Sequence, residues 1–332
     1  MLRLLTLLSL LLLTTLAARA DTVVLRMAAI APDGTSWARE LKAFARDVDA
    51  RTSGAVKVKW YLGGIAGEEY DSLERIKRDQ LDGAAGAMIC DKLAPTLRVM
   101  RVPGLIRDRP EALHVINSLR APIEAEFDQA GFVYLGAAGF GLDVLFSRAP
   151  VRTLADLKRG SYWVRTHDDV VRAAMTAIGM HIVETSHADA ASAYQEGKVD
   201  GFIATPGSAL AFQWISQVNA YTDLKLAYLT GCMTVSRRAF DKLSNDDKQA
   251  VRSAAAVLAS RFEEVGRDFD RQLLDALFAR RGLTRVAPAA PAGAEIEAAL
   301  LGARAKIPAD LVPRALLDHV LELIAHFRAG PH

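Results

Sequence analysis

One phrase occurs twice in this chain. "LERIKRDQLDGAAGAMI" (73–89) and "YQEGKVDGFIATP" (194–206) each run from helix-compatible residues through Asp-Gly into small or apolar residues, about 120 residues apart. A helix that returns through a tight turn into a buried strand is part of a β-α-β unit, and parallel strands require such crossovers. Glycine after aspartate supplies the permissive backbone that a tight return needs. The flanking sequence repeats the scheme. "TVVLRMAAI" (22–30) predicts a strand; then a helix capped by Asp33 or Thr35 places Trp37, Leu41, Phe44, Ala45 and Val48 at spacings of three and four, and Gly54 ends it. "AVKVKWYLG" (55–63) is a second strand before the first Asp-Gly helix. Later, "GFVYLGAAGFGLDVLFS" (131–147) is strand-rich and "YWVRT" (162–166) a strand. The helix 168–180, with Val171, Ala174, Met175 and Ile178 on one face, leads to "IVET" and the second Asp-Gly helix. Two mostly parallel sheets flanked by helices imply two α/β lobes facing each other.

The last third changes character. Residues 243–282 read as almost unbroken helix, with Ser244 or Asn245 as N-cap, Asp246 and Asp247 in the first turn, and Arg280-Arg281-Gly282 at the end. Roughly 37 helical residues would span about 55 Å, more than one lobe, so the helix is expected to brace both. Its apolar spacing is not a sustained heptad. "APAAPAGAE" (287–295) reads as a linker to terminal helices. The expected organisation is lobe I over 21–143 with 222–257 returning to it. Lobe II covers 144–221, with 258–332 packing on it and bracing both.

"MLRLLTLLSLLLLTTLAARA" (1–20) has an early Arg3, a leucine-rich core and Ala18-Arg19-Ala20, the pattern of a cleavable secretory signal. Its apolar run is short for a membrane span of about 20 residues. Without it the formal charge falls from +2 to 0, because Arg3 and Arg19 leave and no acid does. A balanced surface argues against nucleic acid or anionic membrane as the main partner. Roughly 310 remaining residues exceed the commonest single core. Export permits a disulfide between Cys90 and Cys232, but the sequence leaves open whether they meet; without a C-x-x-C they make no zinc site. No G-x-S-x-G, H-E-x-x-H, P-loop or G-x-G-x-x-G after the first strand appears, so neither an enzyme nor a cofactor is expected. His167 with Asp169, and His187 with Asp189, are candidate metal ligands that read better as helix N-termini.

In order and spacing, these segments resemble the DctP-type periplasmic solute-binding receptors of tripartite ATP-independent periplasmic (TRAP) transporters. "RMAAIAPDGTSWARELKAFARDVDARTSGAVKVKWYLGG" is similar to that family's first strand, Trp-bearing helix and second strand. "APTLRVMRVPGLIRDRPEALHVI" (94–116) resembles its leucine-proline-phenylalanine segment, "LADLKRGSYWVRT" its "DLKG-K-x-R" strand, and "YQEGKVDG" its "LQ-x-G-x-VDG". "VSRRAFDKLSNDDKQAVRSAA" is similar to its return strand and bracing helix. The resemblance covers nearly the whole mature chain. It implies a two-lobed periplasmic-binding-protein-like fold joined by strands that cross twice, closing on a small organic solute that is handed to membrane permease subunits. A sensor subunit would share the same fold and cleft.

In that family an arginine of the "K-x-R" strand pairs the substrate carboxylate, and it falls on Arg165. A guanidinium fork suits a carboxylate bidentately and stays charged when partly dehydrated. The alternative for Arg165 is a partner within the protein: Asp168, Asp169 or a group of the neighbouring lobe. Strand alternation puts Trp163 on the same face. Trp37 follows the first strand, where ligands of open α/β sheets bind; Met88 and Phe140 end or follow strands, and Thr205 offers a hydroxyl at its strand end. Where family members carry Asn in "DG-x-E-N-P", this chain has Ala204 or Thr205, and where they carry Arg in "G-F-R" it has Gly141 or Leu142. Each charge-assisted bond is worth roughly 1.5–3 kcal/mol, so these departures argue against a small, highly charged diacid. They favour a monocarboxylate or a more apolar solute, as in receptors of this family that work with an additional helical periplasmic protein.

Overall fold

The computed structural model describes residues 22–272, 279 and 282–330. The leader expected at 1–20 and the C-terminal end of the long helix lie outside the described residues. In chain order the strands are β1 (Val23–Ala29), β2 (Val56–Tyr61), β3 (Gly83–Gly86), β4 (Phe132–Leu142), β5 (Val144–Ser147), β6 (Ser161–Arg165), β7 (His181–Thr185), β8 (Gly201–Ala204), β9 (Ala220–Thr222), β10 (Tyr228–Ser236) and β11 (Thr284–Val286). They form two sheets, β2-β1-β3-β10-β4 and β11-β9-β5-β8-β6-β7.

Both sheets are mostly parallel, as expected, and each carries one strand that runs against the rest. β10 runs antiparallel to β3 and β4, and β5 antiparallel to β8 and β9. The reason is topological: β5 and β10 are the strands by which the chain passes between lobes, so each enters its sheet against the direction set by the β-α-β units. The two crossings are tied together. Asp143 N–H donates to Ala227 O at 2.7 Å, and Leu226 N–H donates to Asp143 O at 2.9 Å.

The repeated Asp-Gly has a more specific cause than a tight turn. Asp82 N–H donates to Arg26 O (2.8 Å) while its carboxylate accepts from Arg26 N–H (2.8 Å). Asp200 N–H donates to Ser161 O (2.7 Å) while its carboxylate accepts from Ser161 N–H (2.9 Å). The two aspartate carbonyls accept equivalent bonds, from Ser236 N–H (2.7 Å) and Arg148 N–H (2.8 Å). Each aspartate thus extends a ladder on both sides where a strand begins. Neither glycine has positive φ. A Cβ on Gly83 would instead lie 2.3 Å from Thr234 O, and one on Gly201 2.1 Å from Phe146 O. Glycine is needed for the close approach of the neighbouring antiparallel strand.

The helix Ser36–Arg51 is capped by Thr35, whose Oγ1 accepts from Ala38 N–H, and buries Trp37, Leu41, Phe44 and Val48. Ser244 Oγ accepts from Asp247 N–H and caps the helix Asn245–Gln272. That helix lies along β4 and Ser36–Arg51 and reaches Pro206–Ala211 of the second lobe. "APAAPAGAE" is largely helix rather than linker: Ala290–Arg304 starts inside it, with proline in its first turn, where a missing N–H does no harm. It packs on Leu154–Arg159 and Asp169–Ala177 of the second lobe. The last helix, Arg314–Ala329, packs on Arg109–Ser118 of the first lobe. Its buried stripe of Leu317, Val320 and Ile324 faces that way, and Arg328 Nε reaches Glu111 at 2.6 Å. Cys90 and Cys232 form a disulfide with Cα atoms 5.9 Å apart, joining the helix Met88–Leu93 to β10 within the first lobe.

A buried charge cluster holds the lobes together at the crossing. Arg101 Nη2 of the first lobe meets Asp168 Oδ2 of the second at 2.5 Å and Asp143 Oδ2 of the crossing at 2.6 Å. All three side chains are almost fully excluded from water. Nearby, His167 stacks on Tyr70 across the junction, ring centroids 3.8 Å apart. Burial, and then the charge of Asp168, push the Asp91 carboxyl up to about 8.

Two predictions follow from this packing. Gly83→Ala and Gly201→Ala are each expected to lose about 1–3 kcal/mol in urea unfolding, as overpacked sites do; wild-type stability would show that the strand approach is not constraining. The second concerns Asp91. Between the ordinary aspartate value and about 8, the folded chain holds a proton there that the unfolded chain has released, so this group removes stability as pH rises. Asp91→Asn, which mimics the protonated acid, is expected to match wild type near pH 4 and to exceed it increasingly toward pH 8. A gap between variant and wild type that does not grow with pH would contradict this.

Candidate functional site

The C-terminal ends of β1 and β3, the middle of β4 and β10, and one face of the helix Asn245–Gln272 border a cavity in the first lobe that opens toward the second. Its volume is about 90 Å³, counted over positions open to the centre of a water molecule. One water needs roughly 10–15 Å³ by that measure, so the space suits a small organic molecule. The second lobe contributes Arg165, His187, Ser208 and Phe212 to the rim.

Arg165 ends β6, which alternation and the neighbours β7 and β8 fix in register. Its side chain is nearly buried yet borders the cavity. It has no side-chain hydrogen bond or ion pair among the described residues. The two rival partners on its own turn are engaged elsewhere: Asp168 is held by Arg101, and Asp169 by Arg172 at 2.6 Å. Between Arg165 and Asp168 the backbone passes through the left-handed region at His167, which has φ of 69°.

Two acids of the first lobe flank this guanidinium. Glu69 is buried at the cavity wall, where its Oε2 accepts from Ile89 N–H at 2.9 Å. Burial raises its pKa, and the Ile89 bond and the positive charges of His187 and Arg165 offset this only in part. A Cβ on Gly86 would stand 2.2 Å from Glu69 Oε2, so glycine there makes room for the carboxyl. Glu68 reaches across to the second lobe, accepting from His187 N–H at 2.9 Å and lying 3.0 Å from His187 Nδ1. Burial acts to raise Glu68, but the His187 bond and charge outweigh it and hold the carboxyl below its ordinary value.

The aromatic frame is set by Trp37 and Phe140, edge-on at 5.0 Å, with Phe262 6.0 Å from Phe140. A Cβ on Gly207 would lie 2.6 Å from Phe269 and 3.0 Å from Trp37, so this glycine lets the lobes approach closely beside the site.

Of the residues singled out in the sequence, Arg165, Trp37 and Phe140 border one cavity. Trp163 does not: it is fully buried, with Nε1 donating to Thr185 Oγ1 at 3.0 Å and its ring against Trp214 and His187. It shares Arg165's face but stands one residue pair deeper, in the core of the lobe. Thr205 is also buried, its hydroxyl spent on capping the helix Pro206–Ala211 through Ser208. Met88 opens a helix instead of ending a strand and packs with Ala87 and Leu229 behind the wall. Glu69, His187, Ser208 and Phe262 were not anticipated. The His187–Glu68 contact joins residues 119 positions apart, which no local pattern signals.

The sequence profile of DctP, bacterial extracellular solute-binding protein family 7, matches residues 27–300. A solute-binding protein of Verminephrobacter eiseniae is 28% identical over 218 residues, 64% of either chain. One of Chromohalobacter salexigens is 22% identical over 222 residues, 65% of either chain. The matched stretch thus spans just under two thirds of each relative's length. Among solved structures, the chain is similar to a TRAP periplasmic solute-binding protein from Bordetella bronchispeptica with density assigned to pantoate: TM-score 0.82, 20% identity, covering 91% of this chain and 99% of that one. It is likewise similar to one from Xanthobacter autotrophicus Py2 with bound β-D-galacturonate: TM-score 0.81, 19% identity, 91% and 99% covered. The two-lobed fold agrees with these, and the profile match extends over most of the sequence: the chain belongs to the DctP family of bacterial extracellular solute-binding proteins.

Proposed function

We propose that this chain is the periplasmic receptor of a TRAP transporter, that it captures a carboxylate-bearing organic solute between its lobes, and that it delivers the solute to membrane permease subunits. The observation that carries this reading is Arg165, a nearly buried guanidinium at the rim of an interlobe cavity with no protein partner among the described residues. Burying a cation without a hydrogen-bonded counter-charge is costly; Glu68 and Glu69 act on Arg165 only through their charge, and a carboxylate from outside supplies the bond in bidentate geometry. The solved relatives hold pantoate and galacturonate, both carboxylates.

Capture works by lobe closure. The open state exposes Arg165 to water; the closed state adds contacts to the solute from both lobes, and the solute shifts the population by that difference. Glu68 with His187 is a protein contact that closes with it. Residues 1–20 serve to export the chain to the periplasm. The predominance of apolar side chains in the cavity favours a second reading within the same class. In it, the receptor serves a hydrophobic ligand and works with an additional helical periplasmic protein. Neither reading requires a bond to be made or broken.

The test is mass spectrometry of the solute released when the purified protein is unfolded, followed by titration of that solute into Arg165→Ala and Arg165→Lys. Loss of one charge-assisted pair, roughly 1.5–3 kcal/mol, predicts about ten- to a hundredfold weaker binding for the alanine variant and a smaller loss for lysine. Unchanged affinity of Arg165→Ala for a carboxylate would remove Arg165 from the site.

A further inference from the structure

We propose that the solute is a monocarboxylate with an unsubstituted hydrocarbon body: the acid sits on Arg165 and the body enters the first lobe between β4 and the helix Asn245–Gln272. This rests on the reading of Arg165 given above and names the class of molecule it serves.

The cavity is divided by polarity. Its charged side chains, Glu69, Arg165 and His187, gather where the lobes meet. Beyond them the walls on the first lobe carry apolar side chains, from Leu41 and Leu135 to Met233 and Leu258. Space exists there because small residues face each other. A Cβ on Gly136 would still be 3.9 Å from Ala259 Cβ, and Ala255 sits one turn before Ala259 on the same helix face. Larger side chains at these positions would fill the gap between sheet and helix.

Two classes of carboxylate are disfavoured by this arrangement. A sugar acid would bring several hydroxyls against walls whose side chains, the Trp37 indole apart, offer no hydrogen bonds, and each unsatisfied buried polar group is costly. A diacid would bring a second anion to a cavity with a single free guanidinium among the described residues. That anion would meet either Glu69 or hydrocarbon. A hydrocarbon body meets neither penalty and gains from leaving water.

The test uses the full mature chain freed of retained solute and calorimetric titration with defined probes. The first set is butanoate, hexanoate and octanoate; against these stand octanedioate, D-glucuronate and 1-octanol. Affinity is expected to rise roughly fourfold per methylene along the monoacids, from about 0.8 kcal/mol per buried CH₂. Octanedioate, of the same length as octanoate, is expected to bind at least a hundredfold more weakly. Ala259→Leu, at a half-buried position, is expected to weaken octanoate at least tenfold while leaving the unfolding temperature near wild type. Glucuronate or octanedioate binding as tightly as octanoate, with both lost in Arg165→Ala, would overturn this inference and leave the carboxylate reading intact. A flat monoacid series would do the same. Octanol binding as tightly as octanoate, or Arg165→Ala binding octanoate normally, would overturn both.

Discussion

A buried ion pair between the lobes, Arg101 with Asp168, decides what the rest of the site can be. Asp168 lies three residues beyond Arg165 on the turn leaving β6 and is its nearest rival for the guanidinium. Held at 2.5 Å by Arg101 and close to Asp143 through the same cation, it is unavailable. Such pairs contribute little net stability, because dehydrating the charges offsets their attraction, but breaking one leaves an uncompensated buried charge. The value of the cluster is therefore positional. It satisfies one acid so that one cation stays open, and it does so at the crossing, where Asp143 belongs to neither lobe alone.

The same logic explains how far the sequence could be read. The twofold helix, Asp-Gly, strand phrase announced two α/β lobes because its cause lies within each lobe's own sheet: Asp82 and Asp200 each bond a neighbouring strand through both backbone and side chain. What was misread was the role of glycine. Its need arises from Thr234 and Phe146, on strands that return from the other lobe, and no local pattern carries that information. The one reversed strand in each mostly parallel sheet escaped for the same reason: antiparallel pairing of β5 and β10 follows from where the crossings fall.

Site residues divide along a similar line. Trp37 and Arg165 are legible because Arg165 ends β6 and Trp37 opens the helix that follows β1, the edge at which open sheets present side chains to a cleft. Trp163 and Thr205 are also near strand ends, but Thr205 answers first to the helix it caps and Trp163 to the indole of Trp214 and the hydroxyl of Thr185. A polar or aromatic residue at a promising address is bound by whichever partner lies nearest. Glu69 is the converse case. It reads as an ordinary acid in the first turn of a helix, and only the glycine at position 86 opens the space that draws it to the wall.

In the capture proposed above, the two lobes divide the work of recognition unequally. The first supplies shape, a gap between sheet and helix held rigid by the Cys90–Cys232 disulfide and by continuous apolar packing. The second supplies the free cation and little volume. A solute seated in the first lobe alone keeps its apolar contacts but leaves its carboxylate facing water; closure replaces that water with Arg165. Because the apolar term is available before closure and the ionic term only after it, a hydrocarbon acid would bind in two steps of different physical kind. Changes to the first-lobe walls should then act on entry into the open state, while changes at Arg165 should act on the balance between open and closed.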